Sequence, residues 1–206
     1  MPTLISETDV RLERGDLLRR VPLPRAVSAD GFLVPPARTP GLHLSGLLKY
    51  FARKLKHSEY AAQADEDSVP LQWLLGHAWE EMAVSLYPDT IWQPGEIMEP
   101  VIMNCDGFTD DAEIGAPVVE EFKFRRAKRM SGVDFVTKRW AFMQQGLGYC
   151  LGYGAEHVRW HVCAVMEWPD MIYTKYLVKF SEKEIADMAR MIEVNKKGAI
   201  ESGYSE

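Results

Sequence analysis

Two carboxylates and a lysine near the middle of the chain have the residue types of a metal-dependent hydrolytic site. Asp106 ends one strand-like run, and Glu121 and Lys123 lie in a second such run over residues 118–124. Because side chains alternate across a strand, Glu121 and Lys123 share one face. Carboxylates are hard oxygen ligands for Mg²⁺, which can acidify a bound water and neutralise a phosphate. The lysine could hold that water or stabilise the developing charge.

Charge is unevenly distributed around these residues. The 206-residue chain has a net charge of −6, yet residues 106–121 contain six carboxylates and no basic residue. Residues 123–139 contain seven Lys or Arg and a single acidic residue, Asp134. An acidic pocket beside a basic strip is typical of a phosphodiesterase, whereas a solvated, salt-bridged loop is the alternative interpretation. The basic residues expected to contact a phosphate backbone are Arg125, Arg126, Lys128 and Arg129.

The composition excludes several classes of protein. Hydrophobic residues make up 47% and charged residues 26% of the chain, as in an ordinary soluble globular protein. Three cysteines without a CxxC motif argue against a zinc site or a disulfide framework, and a four-cysteine iron–sulfur cluster cannot be built from them. We find no apolar run of about 20 residues and no apolar signal-peptide core. We therefore expect a cytoplasmic protein, located in the host cytoplasm if it is viral.

Helices and strands alternate in the predicted secondary structure. Residues 1–40, rich in Pro and Arg, are interpreted as an irregular arm with one short strand near 31–34, and residues 41–206 as a single domain. Ser45 is predicted to cap the first helix, and Gly107 to let the chain bend sharply into a hairpin. The predicted elements are helices over 41–57, 70–87, 134–154 and 181–197, the last with a Ser181-x-x-Glu184 capping box, and strands over 100–103, 117–124, 157–166 and 172–180.

The acidic motif resembles that of the PD-(D/E)XK nuclease superfamily. The superfamily signature is an Asp, a variable gap and then Glu or Asp-x-Lys, which Asp106 and Glu121-x-Lys123 match. Cys105-Asp106-Gly107-Phe108 is similar to the Pro-Asp-Gly-Leu of the family at this position, with Cys105 in place of the proline.

Two helical motifs extend this resemblance, so that it spans about residues 45–180. Gly76-x-x-x-Glu80 resembles the helix of lambda-exonuclease-type viral nucleases, in which the glutamate sits beside the metal. Gln145-x-x-x-Tyr149 resembles a motif of RecB-type nuclease domains, and at i and i+4 the two side chains share a helix face. The four motifs follow one another in the order that the superfamily has.

The resemblance implies an α/β (α+β) fold with a restriction-endonuclease-like core, in which helices flank a central mixed sheet. It implies a Mg²⁺- or Mn²⁺-dependent deoxyribonuclease, and favours a phage-type exonuclease that acts on linear DNA ends in recombination or repair. In this interpretation Lys123 positions and helps deprotonate the attacking water, and Gln145 supports Lys123. The implied ligands of one or two ions are Asp106, Glu121, the carbonyl of Phe122, and Glu80.

Several alternatives remain open at the level of single residues. Tyr149 could stack on a base or be a core tyrosine, and Gln144 replaces Gln145 if the helix phase is shifted by one. His77 and Glu81 also match a His-x-x-x-Glu pattern of RecB-type domains, or else His77 caps a pocket and Glu81 faces water.

The expected partner is DNA, with no membrane association. The resemblance also implies a homo-oligomer and a single-strand annealing or recombination partner. One alternative function is a structure-specific endonuclease on the same core. Another is a nucleic-acid-binding or assembly protein without cleavage, which would be expected to have lost the lysine or a carboxylate. The sequence leaves cleavage polarity, strand preference and the choice between DNA and RNA open.

Overall fold

A mixed β-sheet carries the residues of the predicted site. The computed structural model describes residues 1–11, 39–57, 70–87, 89–92, 94–125, 129–164 and 172–204. Its strands are β1 (Thr3–Arg11), β2 (Ile91–Trp92), β3 (Gly107–Asp111), β4 (Ala116–Arg125), β5 (His157–Ala164) and β6 (Ile172–Lys179). They lie in the order β1-β6-β5-β4-β3-β2. In the described sheet β4 and β5 run parallel, and each other neighbouring pair is antiparallel.

Five helices within the described ranges flank this sheet, which confirms the predicted α+β fold with a mixed sheet flanked by helices. They are α1 (Leu44–Lys54), α2 (Pro70–Leu86), α3 (Gly132–Lys138), α4 (Trp140–Tyr153) and α5 (Glu182–Glu201). No helix in the described ranges has the length and apolar character that a membrane crossing requires.

The strand β4 separates two hydrophobic cores because its side chains alternate between the faces of the sheet. Val119 packs into the larger core, which includes residues of α1, α4 and α5. Phe122 packs on the opposite face into a smaller core with Trp79 of α2 and Tyr173 of β6. The sheet is therefore covered by helices on both faces.

The hairpin between β3 and β4 turns later than the sequence predicted. Gly107 lies within the β3–β4 ladder opposite Glu120, so the prediction of a sharp bend at Gly107 is wrong. The turn is formed around Gly115, which has a φ of +69°, and the Asp111 carboxylate accepts hydrogen bonds from two backbone N–H groups of this turn. The predicted strand over 100–103 is also wrong, because Ile102 and Met103 make single bridges and the regular strand begins after Asp106.

Two further local predictions are corrected. The predicted helix over 134–154 is divided into α3 and α4 at Arg139, which has φ −109° and ψ 62°. Phe135 and Phe142 on either side of the break both pack against Trp160, so the hydrophobic pattern continues across it. The first helix has His43 rather than Ser45 as its N-cap residue.

The first strand was not predicted. Residues 3–11, interpreted as part of an irregular arm, form β1 at the edge of the sheet and pair with β6. Most side chains of β1 are exposed or half-buried, and backbone pairing therefore stabilises the strand more than an apolar face does. The short strand predicted near 31–34 lies outside the described residues.

The remaining elements agree with the prediction to within a few residues. The helix predicted over 70–87 is α2, and the strand predicted over 117–124 is β4. The capping box at Ser181 and Glu184 forms at the start of α5. Gly154, with a φ of +67°, ends α4 in the left-handed conformation that glycine adopts without strain.

Candidate active site

A hydrogen bond joins Asp106 to β4 and so links the two parts of the predicted motif. The backbone N–H of Phe122 donates to Asp106 Oδ2 at 2.7 Å. Phe122 lies between Glu121 and Lys123, so this bond places the Asp106 carboxylate beside both of their side chains. Burial raises the pKa of Asp106 above its usual value, although the Lys123 charge and the Phe122 N–H oppose this shift.

Glu121 and Lys123 lie on one face of β4 and contact each other. Lys123 Nζ donates to Glu121 Oε1 at 2.5 Å. The Glu121 residue is 2% exposed, and its second carboxylate oxygen, Oε2, has no hydrogen-bond partner among the described atoms. Buried carboxylate oxygens are rarely left without a partner. Glu121 Oε2 is therefore a candidate ligand atom.

The two carboxyl groups and the ammonium shift one another's pKa values. Burial raises the pKa of Glu121 to about 8, and the neighbouring Asp106 charge raises it further, while Lys123 lowers it. Burial alone would lower the pKa of Lys123, but the charges of Glu121 and Asp106 raise it above its usual value. Two carboxyl groups with raised pKa values thus face one ammonium, and a bound divalent cation would favour the ionised form of both carboxyl groups.

Gln145 contacts the Glu121 carboxylate. Its Nε2 donates to Glu121 Oε1 at 3.1 Å and to the Tyr149 hydroxyl at 2.8 Å. The described contacts of Gln145 are made by Nε2, which is a donor, so direct support of Lys123 by Gln145 stays a prediction. Lys123 and Gln145 hold the same oxygen of Glu121. Gln145 rather than Gln144 makes these contacts, so the helix phase is the predicted one.

The burial of Tyr149 does not fit a role in base stacking. The residue is 7% exposed, and its hydroxyl accepts the hydrogen bond from Gln145. Burial raises its pKa well above the usual value, and the Glu121 charge adds to this. Tyr149 is a buried support for Gln145, as in the alternative interpretation of a core tyrosine.

Glu80 of α2 lies near this group. Trp79, the preceding residue of α2, packs edge-to-face against Phe122 with ring centroids 6.1 Å apart. The Glu80 charge is one of those that raise the pKa of Lys123. In the described part of the chain, no three His, Cys, Asp or Glu side chains are grouped closely enough to hold a metal ion. The role of Glu80 therefore stays a prediction, and the His77 side chain lies outside the described part.

Only part of the predicted basic strip lies near the site. Arg125 lies over the Phe142 ring, with its guanidinium carbon 5.4 Å from the ring centroid, and Lys123 Nζ is 5.8 Å from the same ring. Arg129 instead donates to Glu7 and Asp9 of β1, at 2.7 and 2.9 Å. For Arg129 the alternative of a salt-bridged loop fits the structure better than a phosphate contact. Arg126 and Lys128 lie outside the described residues.

Tyr153 is a residue of the site that the sequence analysis missed. Its hydroxyl donates to the carbonyl of Gly95 at 2.7 Å and accepts from the backbone N–H of Cys105 at 3.3 Å. Cys105 directly precedes Asp106, so Tyr153 holds the segment that carries this carboxylate. The signal was present in the sequence, because Tyr153 continues the i, i+4 spacing of Gln145 and Tyr149 along one helix face.

The residues present fit a divalent cation. The Asp106 and Glu121 carboxylates, with the main-chain carbonyl of Phe122 directly after Glu121, supply the hard oxygen donors that Mg²⁺ and Mn²⁺ prefer. The unpartnered Glu121 Oε2 and its closeness to a second carboxyl group, Asp106, support this assignment.

Comparisons with known proteins bear on the fold. No protein-family model and no curated protein sequence matches this chain. The crystal structure of SSO0001 is similar with a TM-score of 0.50 at 15% sequence identity, over 78% of this chain and 79% of that chain. The crystal structure of a phage related exonuclease from Haemophilus somnus 129PT has a TM-score of 0.46 at 11% identity, over 93% of this chain and 94% of that chain. At these identities the likeness to SSO0001 concerns the fold alone.

Proposed function

We propose that this protein is a metal-dependent nuclease that hydrolyses phosphodiester bonds in DNA. The observation that carries the proposal is the convergence of Asp106, Glu121 and Lys123, with one buried oxygen of Glu121 left unpartnered. Two carboxylates and an ammonium in this arrangement can hold a cation and a negatively charged substrate next to each other. The same three residues form the motif that resembles the PD-(D/E)XK signature.

Asp106, Glu121 and the carbonyl of Phe122 would hold Mg²⁺ or Mn²⁺, with Glu80 completing the site. When bound, such a cation neutralises phosphate charge and lowers the pKa of a water molecule. Lys123 and Gln145 both donate to Glu121 Oε1, so they fix the orientation of the carboxylate and direct Oε2 away from them.

In this proposal Lys123 acts as a hydrogen-bond donor. The raised pKa keeps its ammonium charged at neutral pH, and a charged ammonium can donate to the attacking water or to a phosphate oxygen. It cannot accept a proton from that water. The direction of the pKa shift therefore favours positioning and charge stabilisation over the deprotonating role expected from the sequence.

We further propose that the enzyme is an exonuclease that acts on linear DNA ends, as the resemblance to lambda-exonuclease-type nucleases implies. A cleavage assay on linear, nicked and covalently closed circular DNA, with Mg²⁺, with Mn²⁺ and with a chelator, tests this. We expect metal-dependent loss of linear DNA and survival of closed circles. Rapid cutting of closed circles would indicate a structure-specific endonuclease and not an exonuclease. DNA binding without cleavage under every condition would indicate a non-catalytic binding protein.

A further inference from the structure

The end of α1 and the three residues 55–57 that follow it form a basic surface. Residues 41–57 contain four Lys or Arg and no Asp or Glu, in a chain whose net charge is −6. Arg53, Lys54 and Lys56 are all exposed. Within the described ranges, no carboxylate forms an ion pair with any of these three side chains. Their charges are therefore available to a polyanion.

Uncharged partners hold two of these side chains in place. The guanidinium carbon of Arg53 lies 5.5 Å from the centroid of the Tyr204 ring. Lys54 Nζ donates to Asn195 Oδ1 at 3.0 Å. Such partners order the side chains without neutralising their charge. Arg129, in contrast, is neutralised by two carboxylates of β1.

An aromatic stack adjoins these charges. The His57 ring stacks on Trp140 with centroids 4.5 Å apart and an angle of 25° between the planes. Phe51 stacks on the same indole at 6.2 Å and 30°. All three side chains are half-buried, so the stack reaches the surface beside the exposed cations. Cationic side chains that follow a backbone, together with aromatic rings for unpaired bases, are the usual composition of a single-strand binding surface.

This surface is connected to the candidate active site through α4. Trp140 begins α4, and Gln145, which bonds to Glu121, follows five residues later. Five residues correspond to roughly 7.5 Å along a helix axis, or about two nucleotides at 3.4 Å each along one strand. The side chains of Trp140 and Gln145 point in different directions, about 140° apart around the axis. A strand would therefore pass around the first turn of α4.

We propose that Arg53, Lys54, Lys56, His57 and Trp140, the α1–α4 surface, bind a single-stranded segment of nucleic acid next to the phosphodiester that is cleaved. This proposal rests on the proposed nuclease function. The exposed cations contact phosphates, and an unpaired base extends the His57–Trp140 stack. Bases within a duplex stack on each other and cannot do this, so the surface requires an unpaired segment.

The test is a binding titration with a labelled single-stranded oligonucleotide and with a blunt duplex of the same sequence, in chelator, at several salt concentrations. The charge variant is Arg53→Gln with Lys56→Gln. The matched control is Arg190→Gln with Lys197→Gln, which removes the same charge from exposed α5 residues that are paired with Asp187 and Glu201. Circular dichroism and thermal unfolding verify that all variants are folded.

We expect the charge variant to bind the single strand roughly tenfold to thirtyfold more weakly at 0.1 M salt. The slope of log K against log salt should fall by about 1.4, because each phosphate contact contributes about 0.7 for single strands. His57→Ala should weaken binding with little change in the slope, since it removes a stacking ring and leaves Arg53, Lys54 and Lys56 in place. The control should resemble the wild type.

Two outcomes would overturn the proposal. One is a charge variant whose affinity and salt slope equal those of the control. The other is an equal loss of affinity for single strand and duplex, which would make the surface a general cationic patch. Cleavage is measured separately on the same proteins. If the wild type binds single strands through this surface but cleaves no DNA with Mg²⁺ or Mn²⁺, the proposed nuclease function is refuted, whereas the proposed single-strand binding surface is retained.

Discussion

Two adjacent glutamates on β4 are equally buried and differ in how their oxygens are paired. Glu120 and Glu121 are each 2% exposed. On one face of the sheet, Glu120 Oε1 accepts from Arg159 Nη1 and Glu120 Oε2 pairs with His161 Nε2, both at 2.7 Å. On the other face, Glu121 Oε1 accepts from Lys123 and Gln145, and Glu121 Oε2 has no partner among the described atoms.

This difference separates a structural carboxylate from a candidate catalytic one. On the Glu120 face, the two partners of the carboxylate make further contacts of their own. Arg159 also pairs with Asp111, and the His161 ring stacks on Phe122 with centroids 4.4 Å apart. Both oxygens of Glu120 are paired in this network, whereas the ring atom His161 Nδ1 has no partner among the described atoms. The Glu121 face keeps one oxygen unpaired beside a second carboxylate, an arrangement that costs stability and suits a ligand.

The largest expected effect is the loss of cleavage in Asp106→Asn. The amide is a poorer metal ligand, so we expect cleavage to fall by about a thousandfold or more. DNA binding should be retained or tightened, because one charge that repels the phosphate is removed. Asp110→Asn is the matched control, since Asp110 is an exposed carboxylate of β3. Gel-based cleavage and a binding titration at one fixed salt concentration measure both effects. Full cleavage by the folded Asp106→Asn protein would refute the mechanism.

Exchanging each glutamate for glutamine should separate stability from activity. Glu120→Gln leaves Arg159 and His161 incompletely paired, and breaking a buried pair costs about 3–5 kcal/mol. The folded fraction should still cleave DNA. Glu121→Gln should lose cleavage and keep its stability at neutral pH, because the raised pKa leaves Glu121 largely protonated there in the absence of metal. Urea unfolding and a cleavage assay on both variants test this crossed pattern. Equal destabilisation by the two substitutions would show that both glutamates are structural.

The metal-free protein should lose stability as the pH rises from 6 to 8. The folded state holds the Glu121 proton up to a pKa of about 8, whereas the unfolded state releases it near 4.5. This contribution to stability is therefore fully present below pH 4.5 and is lost as the pH rises through 8, at about 1.4 kcal/mol per pH unit. The lowered pKa values of His157 and His161 also make stability depend on pH, so the difference between wild type and Glu121→Gln is the quantity to measure.

We expect this difference to change by about 2 kcal/mol between pH 6 and 8 in chelator. Saturating Mg²⁺ should flatten the wild-type curve, because a bound cation favours the ionised carboxylate. Parallel curves for the two proteins in chelator would contradict the raised pKa of Glu121.

A smaller effect should distinguish two glutamates of α2. Glu80 and Glu81 are about 100° apart around the helix, so they cannot both face the candidate metal site. The Glu80 charge acts on Lys123, and we expect Glu80→Ala to reduce cleavage by about a hundredfold, or nearly 3 kcal/mol. Glu81→Ala is the control and should be close to wild type. A loss confined to Glu81→Ala would reverse the assignment, in agreement with the His-x-x-x-Glu pattern.

Local patterns in the sequence predicted the contacts between residues that are close together along the chain. Side-chain alternation placed Glu121 and Lys123 on one face, and helical spacing placed Gln145 beside Tyr149. The long-range contacts could not be predicted. Arg129 pairs with Glu7 and Asp9, which are more than 100 residues away in sequence.

The edge strand was missed for a related reason. β1 has few apolar residues, and its pairing with β6 is made by backbone groups that leave no pattern in the sequence. Glu120 illustrates the same limit within the site region. Its two partners, Arg159 and His161, belong to a strand about 40 residues further along the chain. The sequence motif identified Glu121, rather than Glu120, as the candidate metal ligand. It could not show that the Glu120 carboxylate is already paired.

The smallest expected effect concerns Tyr153, which holds the candidate site without facing the metal. Tyr153→Phe removes the hydroxyl that joins Gly95 to the backbone N–H of Cys105. The ring still packs against Tyr149 and Phe108, so the fold should be retained. Without this bond the segment that carries Asp106 is less firmly held, and only the Phe122 N–H fixes the carboxylate directly.

We therefore expect Tyr153→Phe to weaken metal binding by about three- to tenfold, which is the effect of roughly one neutral hydrogen bond. Cleavage at saturating Mg²⁺ should be nearly normal, and the metal concentration for half-maximal rate should increase. Calorimetric titration with Mn²⁺ measures the affinity independently of activity. Tyr50→Phe is a suitable control, because Tyr50 lies in α1 against Tyr204, away from Asp106. A loss of maximal rate at unchanged metal affinity would assign Tyr153 to the chemistry itself and not to the placement of Asp106.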